Sequence, residues 1–327
     1  GGRNRLKSHL LMQPALFAAA CLLAAGASCA SAQDGNRWFK VELLVFGQGQ
    51  GSAGETWEAT PKLAYPDTHR FLVEPELVAA NQAEHARAYS ELDAYGRQII
   101  SDAEPARNTS TPTGEGATPG LDQPSTPTPF RVLPASQREF RGKAAYMQRT
   151  GRYTTLFHQA WLQPVTDQTR ALPIVLDRSG DTGEWSRLQG SITLYLSRYL
   201  HLKTNLWLNT QGDYLSGYWR MPPPPMGPPS LILENATTDN REGWIEPQAS
   251  SNETGTGETP GGDELEQGPV YPYRHAVLLQ QKRRMRSNEV HYLDHPLIGV
   301  VIKLTPLSGE DLPLFGQAEQ SGNYPPL

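Results

Sequence analysis

The sequence predicts an α+β fold: a mainly antiparallel β-sheet with one or two packed helices, interrupted by long disordered insertions. Three observations lead there. Apolar residues alternate with a period of two over several separate stretches, while apolar stripes at helical spacing are confined to two segments. In addition, 28 prolines and 30 glycines leave much of the 327-residue chain unsuited to a core.

At the start, Arg3, Arg5 and Lys7 precede an apolar, small-residue run from Leu16 to Ala27 and then Ala30-Ser31-Ala32. Cations, an apolar stretch and an A-x-A site read as a secretory signal peptide over residues 1–32, leaving 33–327 as a single folded domain. The apolar run is shorter than the roughly twenty residues a membrane span needs. Cys21 and Cys29 both fall within this signal, so stability beyond it must come from burial rather than disulfides. Losing residues 1–32 removes three cations and no acid, which moves the formal charge from −5 to −8. Such a surface suits neither nucleic acid nor anionic lipid in general.

Residues 38–46 alternate Phe39, Val41, Leu43 and Val45 with Lys40 and Glu42, the pattern of a first strand that ends buried on both faces. Gly49 to Gly54 has the form G-x-G-x-x-G, but Glu55 to Pro61 shows no helical periodicity, so a loop fits better than a dinucleotide site. Pro75 can open a helix, Asn81-x-x-Glu84 has the form of a capping box, and Ala88, Leu92, Tyr95 and Ile99 recur at helical spacing. Residues 103–129 are Thr, Pro, Gly and acid with almost no apolar side chain, which predicts a disordered insertion. A second helix is expected over Ser136 to Arg149, burying Phe140, Ala144 and Met147, followed by a strand from Tyr153 to Leu162.

Leu188 to Leu196 alternates as a strand buried on one face. The alternation runs on through Leu208, too long for one strand, so a bend or hairpin is expected near Arg198 to Asn205. Residues 221–229 are nearly all proline, an extended loop; 246–268 form a second disordered insertion. Pro296 to Thr305 supplies a central strand, and the tail beyond Pro306 reads as loose.

The densest chemistry lies between Lys282 and Pro296. On a strand from Ala276 to Arg286, Lys282, Arg284 and Arg286 share one face, about 7 Å apart, with Val277, Leu279 and Met285 opposite. This is either a ladder for an anionic ligand or a charged edge that blocks strand pairing. Arg283, pointing with Met285, is expected to serve stability. His291, Tyr292, Asp294 and His295 follow; the histidines are four apart, but β-branched neighbours favour a strand, on which they need not converge. Trp161, Trp207 and Trp219 could stack on sugar or simply pack in a core. Tyr199, His201 and Trp207 fall on one side of a straight strand, while Arg198 falls on the apolar side, within reach of an ion pair such as one with Asp294.

The segments Arg283-Arg284-Met285-Arg286-Ser287, His291-Tyr292-Leu293-Asp294-His295-Pro296 and Leu297 to Pro306 closely resemble the end of the CsiV family, periplasmic peptidoglycan-binding proteins of Gram-negative bacteria. Trp38 to Phe46, Tyr153 to Pro164 and Gly190 to Leu202 resemble earlier blocks of that family, in the same order. The resemblance implies a non-catalytic wall-binding protein that supports or regulates cell-wall synthesis. It leaves the binding residues unplaced. Peptidoglycan is the expected ligand, and a bifunctional penicillin-binding protein with its lipoprotein activator the expected protein partners. No cofactor is expected. Two other readings stand beside it: a metal-dependent wall hydrolase drawing on His158, His201, His291, His295 and Asp294, and an interaction scaffold without glycan affinity. The chain has no H-E-x-x-H, G-x-S-x-G or S-x-x-K to support catalysis.

Overall fold

Two sheets face one another across a shared apolar core. The computed structural model describes residues 37–49, 57–103, 126–234 and 269–326, all within the unit Asn36–Leu327. The expected signal peptide, nearly all of the glycine loop, residues 104–125 of the first insertion and the whole of the second lie outside the described residues.

The first sheet has the order β12 (Val290–His295), β13 (Ile298–Pro306), β1 (Arg37–Gln48), β5 (Tyr153–Val165), antiparallel throughout. The second has the order β10 (His275–Leu279), β8 (Leu200–Thr210), β7 (Leu188–Leu196), β6 (Ile174–Val175), β2 (Arg70–Phe71). Its β11 (Lys282–Met285) also pairs with β8, and only β2 and β6 run parallel. Val41, Leu43, Val45, Trp161, Val300 and Ile302 of the first sheet join Ile192, Leu194, Leu202 and Leu206 of the second in one buried cluster. Each such side chain contributes roughly 1.5–3 kcal/mol by leaving water, which fixes the strand registers, since a one-residue slip would turn every apolar residue outward.

The outer face of the first sheet is covered by two helices. α2 (Arg141–Arg149) places Phe140 and Ala144 on Leu44 and Phe46. Its start is held by the buried carboxylate of Glu42, which accepts from the Glu139 and Phe140 amides at 2.7 and 2.8 Å and lies 2.8 Å from His158 Nε2. α4 (Asp311–Ser321) buries Phe315 against Leu133, Ala160 and Leu162. The fold class is therefore the expected one, α+β with mainly antiparallel sheets.

Three local expectations fail. The helix opened by Pro75 stops early: α1 (Pro75–Glu84) gives way to the hairpin β3 (Tyr89–Leu92) and β4 (Gln98–Ser101), with β9 (Leu231–Glu234) parallel to β4. The Asp93 carboxylate accepts from the Tyr95 and Arg97 amides, and Gly96 takes φ +78 where a Cβ would lie 2.6 Å from the Phe71 carbonyl oxygen. A tight turn therefore outcompetes the apolar spacing. Asn81 caps nothing; inside α1 it donates to Gln98 at 2.8 Å. The tail is not loose, because Ser308 and Asp311 form a reciprocal cap at the start of α4, with Asp311 Oδ2 accepting from the Ser308 amide at 2.7 Å and Ser308 Oγ accepting from the Asp311 amide at 3.2 Å. α4 in turn orders the end of the first insertion, where Thr128 donates through its amide to Glu319 at 2.8 Å. A fourth, four-residue helix, α3 (Ser179–Thr182), follows β6.

Candidate functional site

The second sheet has a distal face, turned away from the core, whose two ends differ. Even-numbered residues of β7 and β8 enter the core, so Gln189, Ser191, Thr193 and Tyr195 share the distal face with His201, Lys203, Asn205, Trp207 and Asn209. At one end a segment from Met221 through the prolines, together with Leu63, Tyr65, Trp185 and Tyr271, closes over Trp207. At the other end no such cover exists among the described residues.

β7 and β8 are joined by a turn over Ser197 to Tyr199, at the start of the stretch from Arg198 to Asn205 where a bend or hairpin was expected. The registers then set two rows of side chains across β7, β8 and β11: Tyr195, His201, Arg284, and beside them Thr193, Lys203, Lys282. The His201 ring stacks on Tyr195 at 5.0 Å, and Lys282 Nζ sits 5.5 Å over the same tyrosine. The Arg284 guanidinium lies 3.5 Å from the centre of the Tyr199 ring, with Arg198 5.5 Å from it. Lys203 and Lys282 are directly opposite one another. Among the described residues, none of Lys203, Lys282 and Arg284 has a carboxylate within 4.0 Å. Like charges facing across a ladder destabilise it, and the cation–π contacts return only about 0.5–1 kcal/mol each at exposed sites. Desolvation, then Lys282 and Arg284, lowers the His201 pKa, while its Nδ1 is buried with no hydrogen-bond partner.

The expected site residues do not all gather here. Lys282, Arg284, Tyr199 and His201 do. Arg286 falls beyond β11 and pairs with Glu289 at 3.5 Å. β10 and β11 keep one register on β8, as a single strand would, with the Gln281 carbonyl accepting from the Thr204 amide at 2.8 Å. Trp207 is fully buried, donating from Nε1 to Gln189 at 3.2 Å, and cannot meet a ligand. Trp161 is likewise core, whereas Trp219 is exposed. Arg198 is exposed in the turn rather than on the apolar side, and it makes no ion pair with Asp294. Arg283 is also exposed.

Tyr292 and Asp294 belong to the outer face of the first sheet: Tyr292 stacks on Phe46 at 6.1 Å and donates to Asp294 at 3.0 Å, and burial, then that bond, pushes its pKa up to about 12. Asp294 also accepts from Gln48 at 3.1 Å. His291 and His295 share the other side of β12, where His291 Nε2 accepts from the Arg286 amide at 3.0 Å and His295 packs 5.5 Å from Trp57. Among the described residues no three His, Cys, Asp or Glu side chains form a group able to hold a metal, and no helix is long and apolar enough to cross a membrane. Lys203 was not anticipated, although pairing the two halves of the 188–208 hairpin would have placed it beside His201, whose ring covers the buried Tyr195.

A family model described as peptidoglycan-binding protein, CsiV, matches residues 15–307 of the 327, so the chain belongs to the CsiV family. No curated protein and no solved structure matches it.

Proposed function

We propose that this CsiV-family chain is a non-catalytic periplasmic protein that binds peptidoglycan at the open end of the second sheet, and that it supports or regulates wall synthesis. The observation that carries the site is the facing pair Lys203 and Lys282 with Arg284 beside them, three cations with no carboxylate within 4.0 Å among the described residues, on a protein whose formal charge is −5. Internal stability gives no reason to keep them together. The carboxylates of stem peptides supply the missing counter-charge, and Arg284, whose guanidinium lies 3.5 Å from the centre of the Tyr199 ring, offers a fork of donors suited to them.

Partners in wall synthesis, a bifunctional penicillin-binding protein and its lipoprotein activator, belong to the same proposal. The test of the site is co-sedimentation with purified sacculi. Wild-type protein pellets, and less of it pellets as salt rises, because exposed charge pairs are screened within about 8 Å at physiological ionic strength. Lys282→Ala combined with Arg284→Ala leaves the protein largely in the supernatant. Equal pelleting of that variant at low salt would show that the cations only guard a sheet edge. Recovery of about one zinc per chain from metal-free buffers would instead favour a hydrolase.

A further inference from the structure

The open side of the sandwich holds a second surface of different chemistry. β11 passes through the turn Arg286–Glu289, where Asn288 has φ +63, into β12, so the edge strand of one sheet becomes the edge strand of the other. Away from that turn the two edges flank a cleft of about 560 Å³, lined in part by Trp57, Glu58, His275, Leu278, Gln280 and His295. That volume lies within the range of about 300–1,000 Å³ common for small-ligand sites.

The wall of the cleft is fixed. Trp57 packs on Tyr214 at 5.0 Å and on His295 at 5.5 Å. Behind it His275 is buried, with Nε2 donating to the Glu58 carbonyl at 2.8 Å. A carbonyl only accepts, so Nε2 carries the proton, and Nδ1 accepts from the Tyr214 hydroxyl at 2.7 Å. Trp57 and Glu58 are thus tied through backbone and ring to the second sheet. Among the described residues, no lysine or arginine lines the cleft and the Glu58 carboxylate has no ion-pair partner.

We infer that this cleft holds a neutral N-acetylhexosamine unit of the glycan strand, while Lys203, Lys282 and Arg284 hold the anionic stem peptide attached to it. An indole face matches the C–H face of a pyranose, and Glu58 with the exposed Gln280 amide supplies an acceptor and both kinds of hydrogen-bonding group for hydroxyls and an acetamide. The same carboxylate disfavours an acidic ligand, so the cleft and the cationic rows sort the two chemistries between them. Leu278, Gln280, Lys282 and Arg284 follow one alternation along one edge, and Gln280 to Arg284 spans about 13 Å of extended chain, which a single polymer carrying both groups can bridge.

This assignment rests on wall binding, and the test separates the two. Binding of neutral N-acetylglucosamine oligomers and of free stem peptide is measured separately by calorimetry on the full chain. Oligomers bind wild type with little dependence on salt, whereas the stem peptide binds with strong dependence. Gln280→Ala, at an exposed position, weakens oligomer binding about tenfold, equivalent to about 1.4 kcal/mol; Trp57→Ala abolishes it and Trp57→Phe restores part. A wild-type protein that pellets with sacculi yet binds no oligomer overturns the glycan cleft alone, as does full oligomer binding by the Gln280 and Trp57 variants. Failure to pellet at all overturns the wall-binding reading beneath it.

Discussion

The covered and open ends of the distal face lie on the same pair of strands, β7 and β8, with the same alternation, yet they treat polar groups oppositely. At the covered end the polar groups around Trp207 are paired with one another: Gln189 accepts from Trp207 and from Asn209 Nδ2 at 2.8 Å, and donates to Tyr65, Ser179 and the Pro225 carbonyl. Asp177 beneath it accepts from Tyr65 at 2.8 Å and from the Gly190 amide at 2.9 Å. Burial and Asp177 both raise the Tyr65 pKa, which keeps that hydroxyl a donor. At the open end the polar groups are cations facing cations, and a buried imidazole nitrogen goes unpaired. A network that closes on itself serves the fold; one left open needs something from outside.

The largest test of this contrast is Trp207→Ala, which should cost about 3–5 kcal/mol in denaturant unfolding while leaving sacculus binding by the remaining folded protein intact. A loss under about 1 kcal/mol would mean that the segment from Met221 does not close a core over Trp207. Next, Lys282→Ala with Arg284→Ala should abolish most wall binding yet leave stability unchanged or slightly raised, since it relieves the Lys203–Lys282 repulsion; a drop in melting temperature would place these cations with the fold.

Acidification should then separate the two properties. The His201 pKa is lowered in the folded protein by desolvation and by Lys282 and Arg284, and that of His275 is lowered by burial. The unfolded chain therefore takes up protons first, so the stability gained from neutral imidazoles is full above about pH 6.5 and is lost as pH falls through that value toward the folded pKa values. Binding of stem peptide should move the other way, because protonated His201 adds a cation to the site, and His201→Gln should remove that gain. Parallel falls in both would deny His201 a place beside the ligand. The smallest effect is expected of Arg283→Ala, an exposed position, within about 0.5 kcal/mol in stability.

Periodicity made much of this legible. Alternation identified β1, β7 and the bend or hairpin near Arg198, and apolar or aromatic runs identified β5 and β13, because each strand has at least one side in the core. It could not say which part of the other side is covered, and so Trp207 and His201 looked equivalent. Their difference comes from Met221 and Tyr65, remote in sequence, whose packing no local pattern encodes. Other misses had local signals. Asp93 and Gly96 mark a turn inside the supposed helix, and Ser308-x-x-Asp311 announces α4. In the site, Lys282 and Arg284 were visible as a ladder, but Lys203 emerges only when the hairpin register is imposed.

The passage of β11 into β12 has a mechanical consequence. A polymer gripped at Arg284 and pulled along the strand direction would load the β10–β11 hydrogen bonds to β8 in shear, many at once, rather than peeling them one by one. Through the short turn at Arg286–Glu289 the same pull reaches β12 and β13, so tension is divided between the two layers instead of prising one from the other.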